Sequence, residues 1–213
     1  MSVDATDSRP ARRELTSIDR LQSLITSSGI RNFSAAEICR LNRSRVIPPE
    51  AAISCPPVDL WPNMIPTLRL AEAIRAAWHR DIGNRGGDVT RCGLSVISGY
   101  RPDWYNRRVK GAPRSQHVRF SALDLSPING EFGRFLRVAS ATIEAMGDGK
   151  RVVGLGRYDT FIHVDTGRVA FTNWDNRSEA ARVEHARFTD SRTGAVAATQ
   201  SSADNQGDEG SDA

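Results

Sequence analysis

The stretch SQHVRFSALDL, Ser115 to Leu125, changes character midway. Its first half is polar and loop-like around His117, one of four histidines in the chain. From Phe120 the residues alternate as in a β-strand. Phe120, Ala122 and Asp124 then share one face, and Ser121, Leu123 and Leu125 the other. Ala122 is small and leaves room beside the aspartate. A second stretch, FIHVDTG from Phe161 to Gly167, repeats the pattern. Phe161, His163 and Asp165 fall on one face, and Ile162 and Val164 on the other. The Ile/Val face reads as the buried one, so the His/Asp face is expected to open into a cleft.

Working outward, LSVISGY (94–100), RVVGLGRY (151–158) and RVAFTNW (168–174) read as further short strands. Between them lie helical patterns. SIDRLQSLIT has Ile18, Leu21 and Leu24 at helical spacing, and Ser34 with Glu37 forms a capping box that opens a helix running to about Leu41. A longer helix is predicted from about Pro62 to His79, stopped by DIGNRGGD, and a short one begins at PDWYNRRV. GEFGRFLRVASATIEAMG is amphipathic, with Phe132, Phe135, Leu136, Ala139, Ile143 and Met146 on one face. This order predicts an α+β fold, a small antiparallel sheet with helices packed against it. Residues 1–30 read as a flexible N-terminal segment and 31–60 as a short helix with a proline-rich lead-in. Residues 61–177 read as the main domain, and 178–213 as a polar tail, disordered at its acidic end.

The net charge of +4 is unevenly spread: from Ser201 onward there are four acids and no Lys or Arg, so the rest carries +8. A basic body suits an anionic partner such as nucleic acid, a membrane surface or a bacterial wall polymer. No DNA- or RNA-binding motif accompanies the basic run YNRRVKGAPR, which argues against nucleic acid. Cys39, Cys55 and Cys92 are scattered and odd in number, which argues against a disulfide framework or a cysteine-built zinc site. No apolar run approaches the length of a membrane span, and the opening residues, which lack an apolar h-region, are not expected to act as a secretory signal. A cytoplasmic location, or a phage-associated one with release at lysis, is the expectation.

His117 and Asp124 stand seven positions apart, which in full extension spans roughly 23 Å. Two ligands of one zinc ion place their donor atoms about 2 Å from it. Sharing a metal therefore requires a bend between them, which the loop-like RSQHVR allows. Two histidines and an aspartate, with a fourth position left for water, form a catalytic zinc pattern rather than a structural one.

The order of SGYR (98–101), YN (105–106), GAPRSQH (111–117), Asp124 and GLGRY…FIHVDTG (154–167) resembles the zinc D-Ala-D-Ala carboxypeptidases and related LAS-type peptidases, which include lysostaphin and sonic hedgehog. Small bacterial and phage murein peptidases of that group are the most similar, and the resemblance covers about residues 60–175. It implies a hedgehog/D-Ala-D-Ala peptidase-like fold, a catalytic role for the domain at 61–177, and one Zn²⁺ held by His117, Asp124 and His163. It implies peptidoglycan stem peptides or cross-links as substrate. Ser115, Tyr100 and Arg101 would then bind substrate, with Arg101 polarising the scissile carbonyl or binding a carboxylate.

Two departures stand out. Many relatives carry Gly three residues after the first zinc histidine, where this chain has Phe120, expected to narrow the cleft or move the strand edge. The relatives' general base lies two or three residues before the last zinc histidine, at positions that are here Phe161 and Thr160. Asp165 and Asp159 are the candidates left for that role, and Asp165 has a second reading as a partner of a zinc histidine. The irregular base also leaves open a catalytically inactive metal-binding module that holds wall peptides or a protein partner.

Overall fold

The computed structural model describes residues 16–41, 53–128, 130–146, 153–168 and 172–186. The α-helices among them include α1 (Ser17–Ser27), α2 (Ala35–Ile38), α3 (Trp61–Asn84), α4 (Asp103–Arg108) and α5 (Phe132–Met146), and residues 179–186 are also helical. Five strands form one sheet: β1 (Leu94–Ser98), β2 (Ala122–Pro127), β3 (Gly154–Arg157), β4 (Ile162–Asp165) and β5 (Thr172–Asp175), in the order β1-β2-β4-β3-β5. The fold is α+β.

Helices α1 and α2 begin at capping boxes. Ser34 accepts the Glu37 N–H at 3.3 Å while the Glu37 carboxylate accepts the Ser34 N–H at 3.0 Å, a reciprocal closure of the α2 terminus. Helix α3 runs past the predicted stop at His79, because Ile82 continues the buried stripe of Ile74 and Trp78 for another turn. Helix α1 lies inside the segment expected to be flexible. Its Leu21 and Ile25 are buried in the common core, so the folded body starts well ahead of residue 31. At the other end, helical residues 179–186 bury Ala181 and His185. The acidic end of the chain lies outside the described residues.

One sheet face is apolar. Leu123 and Leu125 of β2, Ile162 and Val164 of β4 and Leu155 of β3 are buried in the core shared with α3 and α5. Trp78 of α3 meets Phe135 of α5 edge to face at 5.7 Å. The sheet is not wholly antiparallel, because β5 runs parallel to β3. The reason is the short return after β4. Strand β4 is already paired on both sides, with β2 and β3, and the short connection from Asp165 to Thr172 reverses the chain, so β5 runs antiparallel to β4 and pairs in parallel with the outer edge of β3.

Strand β2 begins at Ala122, two residues later than its alternation suggests. Phe120 has φ of 55°, a left-handed conformation, and its ring is fully buried edge-on to Tyr100 at 5.8 Å. It therefore neither joins the Ala122/Asp124 face nor narrows the cleft. A glycine would adopt this backbone without strain, whereas this chain offsets the strain by burying an aromatic ring. Cys39, Cys55 and Cys92 are free thiols. Cys39 and Cys55 nonetheless interact through their side chains, and burial pushes the Cys39 thiol well up.

Truncating Phe135 to alanine would empty the contact between α3 and α5. We expect a loss of about 3–5 kcal/mol in unfolding free energy, measured by urea denaturation. A loss below about 1 kcal/mol would show that this contact does not hold the layers together.

Candidate metal centre and substrate cleft

Strand register assembles the site. Ser98 of β1 is opposite Asp124 of β2, Asp124 is opposite His163 of β4, and His163 is opposite Gly156 of β3, which is opposite Trp174 of β5. This single row crosses all five strands on the face away from the apolar core. His117 joins it from the loop before β2. That loop is held by Asn106, whose Nδ2 donates to the Ala112 carbonyl at 3.0 Å, and by Ser115, whose Oγ accepts the His117 N–H at 3.3 Å.

His117 Nε2, His163 Nδ1 and Asp124 Oδ1 converge: 3.0 Å between the two ring nitrogens, and 3.2 Å and 3.0 Å from them to the oxygen. All three residues are buried. The other ring nitrogens fix which way the protons point. His117 Nδ1 lies 2.7 Å from the Gly99 carbonyl, which can only accept, so the proton sits there and the Nε2 lone pair faces inward. His163 Nε2 lies 3.0 Å from Asp165 Oδ2, which leaves the Nδ1 lone pair facing inward. Three acceptors therefore share one small gap, a repulsive arrangement unless a positive charge enters it.

Electrostatics agree. Burial opposes ionisation of Asp124, but His117 first and then His163 outweigh it and hold the carboxyl well below the usual range. Burial keeps the His117 pKa low. At His163 burial acts the same way, but hydrogen bonds to Asp124 and Asp165 override it and raise its pKa. The gap draws in a cation, and either a proton on His163 or a metal ion can supply it. The donor set fits a metal: zinc bonds of about 2.0–2.1 Å at tetrahedral angles separate ligand atoms by about 3.3 Å, close to the spacings observed here. These three residues form a group that could hold a metal ion.

A family model described as Peptidase M15 matches residues 90–165. This segment, just over a third of the chain, is similar to the Peptidase M15 family. No curated protein and no solved structure matches the chain. The M15 segment runs from just before β1 to the end of β4 and includes all three residues of the cluster. Trp174 and β5 lie beyond it.

The remaining residues singled out in the sequence are placed as follows. Arg101 donates from Nε to Ser98 Oγ at 2.7 Å and from a terminal nitrogen to Asp124 Oδ2, so it steadies the carboxylate on the side away from the histidines. It also lines a cavity of about 200 Å³ beside Asp124, with Ile97, Tyr105, Val109 and Phe161. Tyr100 turns the other way. It is 7% exposed, its N–H donates to the Ile38 carbonyl at 2.8 Å, and its ring belongs to the core rather than to a substrate cleft. Asp165 is fully buried instead of facing an open cleft. Its Oδ2 accepts from His163 and from Arg168 Nε at 2.8 Å, and these two partners outweigh burial to keep its pKa low. Asp159 is exposed at a turn and accepts the Ser178 N–H at 2.6 Å. Asp124 is the one carboxylate among the residues lining the 200 Å³ cavity.

Sequence reasoning passed over the group that backs His163. The Trp174 indole packs against the His163 ring at 5.3 Å, and the Arg168 guanidinium lies 4.8 Å over that indole. The two glycines of GLGR make room. A Cβ at Gly156 would come within 2.5 Å of the Trp174 ring, and one at Gly154 would collide with Asp165 Oδ2. Glycines two apart on a strand, followed by Asp-Thr-Gly-Arg, were the available signal.

Asp165→Ala removes the acceptor that sets the His163 tautomer. We expect metal affinity to fall about 10- to 100-fold with the fold retained, read by competition with a chromophoric chelator. Unchanged affinity would mean that Asp165 has no hold on His163.

Proposed function

We propose that the chain is a zinc peptidase that hydrolyses peptide bonds in peptidoglycan stem peptides or cross-links, as a D-Ala carboxypeptidase or a murein endopeptidase. The observation that carries this reading is the convergence of three inward lone pairs from His117, Asp124 and His163 inside a Peptidase M15 segment. Zinc held by these residues supplies Lewis acidity and brings ionisation of water near neutral pH.

The chain's own contribution is orientation. Gly99 and Asp165 fix the two imidazoles, while Arg101 and Ser98 hold Asp124 from behind. Arg101, with 18% of its side chain exposed, borders the cavity next to Asp124, where a guanidinium can donate to a substrate carbonyl or carboxylate. The apolar wall of Ile97, Val109 and Phe161 suits a small aliphatic side chain such as that of alanine. The basic body suits an anionic wall. In this reading Asp165 positions His163 and does not act on water. Among the described residues no helix is long and apolar enough to cross a membrane.

The burial of Asp165 and the engagement of Asp159 with Ser178 favour one second reading: a metal-loaded module that binds wall peptides without turning them over. A single set of measurements separates the two. Purified protein is expected to carry about one zinc equivalent, lost in both His117→Ala and His163→Ala. Muropeptide digests followed by mass spectrometry should show new termini that vanish with a chelator and return with zinc. Bound zinc and retained peptide binding without cleavage would select the binding module. Absence of bound zinc, even after adding it, would sink both readings.

Arg101→Lys keeps the charge but loses the planar fork. We expect kcat/KM to drop about 10²- to 10³-fold at near-normal zinc content. A full-rate Arg101→Lys enzyme would remove Arg101 from the substrate site.

A further inference from the structure

The sheet face opposite the Asp124–His163 row carries a second concavity. Alternation along β3 and β5 puts Gly156 and Trp174 on the histidine face, and so Arg157, Asn173 and Asp175 on the other. There a cavity of about 440 Å³ opens between α5, the β3/β5 edge and helical residues 179–186. It shares no lining residue with the cavity beside Asp124. Arg137, Arg157, Arg177, Arg182 and His185 line it, with Glu144 the one acid among its lining residues.

Several of these groups are held in place. Arg177 forks onto Asp175, with Nε at 2.9 Å from one carboxylate oxygen and a terminal nitrogen at 2.7 Å from the other. Its remaining terminal nitrogen donates to His185 Nδ1 at 3.2 Å. His185 is 7% exposed and packs against Phe132 at 5.2 Å. Because Nδ1 accepts, its proton is on Nε2, and burial, then Arg177, lowers its pKa, so the ring is a neutral donor. Arg157 donates to Asn173 Oδ1. Arg182 reaches the Asp175 carboxylate at 3.7 Å.

The formal charges decide the ligand class. Arg137 and Glu144 offset one another. Arg157, Arg177 and Arg182 stand against Asp175 alone, which leaves an excess of two positive charges. Asp159 and Glu184 also act on this cluster, but both are exposed and lie outside the lining, where water and salt screen them. A carboxylate would leave one positive charge uncompensated, whereas a phosphate monoester carries about −1.5 to −2 near neutral pH. Guanidinium forks also match phosphate oxygens in pairs. The cavity exceeds the size of a phosphate group, and Leu136, Ala141 and Ala186 give the remainder an apolar wall. We propose that this cavity is a binding site for a small phosphomonoester, separate from the metal centre.

The test is isothermal calorimetry on the full chain with inorganic phosphate, glucose 6-phosphate and AMP, each at fixed ionic strength in chloride. We expect saturable one-site binding of at least one ester, tighter than that of inorganic phosphate. Arg157→Gln and Arg182→Gln should each weaken it about tenfold, and His117→Ala should leave it unchanged. Arg182 has an exposed side chain, so its variant guards against loss through misfolding. No saturable binding of any probe overturns the proposal, as does binding that survives the Arg157→Gln/Arg182→Gln double variant. Binding lost in His117→Ala would place the anion at the metal centre instead. Free phosphate binding as tightly as the esters would overturn the assignment to an ester. None of these readouts involves peptide hydrolysis, so they stand or fall apart from the proposed peptidase.

Discussion

Everything on the functional face of the sheet is arranged around one electrostatic constraint: three buried acceptor atoms, 3.0–3.2 Å from one another, need a cation between them. The constraint is created by what lies behind the ligands. A backbone carbonyl turns one imidazole and a buried carboxylate turns the other, so both inner lone pairs face the gap and only an added proton or a metal ion relieves the crowding. Asp124 is caught between them and held from its far side by Arg101. A site built this way is preorganised, because its cost in desolvation and repulsion is met by folding before any metal arrives.

The sheet makes that preorganisation possible. Asp124 and His163 are cross-strand partners, so their relative position is set by backbone hydrogen bonds rather than by side-chain choice. Strand β4, which carries His163, is paired on both edges. Its far side is anchored by Ile162 and Val164 in the common core. The outer layer of Trp174, Arg168 and Asp165 then closes over His163 through space left by Gly154 and Gly156. The metal centre is thus the meeting of a rigid strand row with one loop residue, His117.

Much of this was legible in the residues. Alternation in FSALDL and FIHVDTG placed Asp124 and His163 on the side away from Leu123, Leu125, Ile162 and Val164, and the capping box at Ser34 marked the start of α2. Legibility failed where a position answers to something distant in sequence. Phe120 extends the strand pattern but sits in a left-handed turn stabilised by Tyr100. Asp165 continues the polar face of β4, yet a neighbouring strand and Arg168 bury it completely. The parallel β5 followed from a short return after β4 that skips over β3, a pairing choice no local pattern encodes. The Gly99 carbonyl could not be found from residue types at all, because every residue offers a carbonyl and only the fold selects which one meets a histidine.

Gly99 also ties the site to the start of the chain. A Cβ there would collide with the Ile38 carbonyl, the same carbonyl that accepts the Tyr100 N–H. Helix α2 is therefore packed directly against the backbone whose next oxygen holds His117. Local opening of α2 would withdraw the Ile38 carbonyl from Tyr100 and leave the Gly99 backbone that orients His117 without its support. The matched family segment begins only at residue 90, but the packed core that supports its histidine draws in α1 and α2 from residue 17 onward.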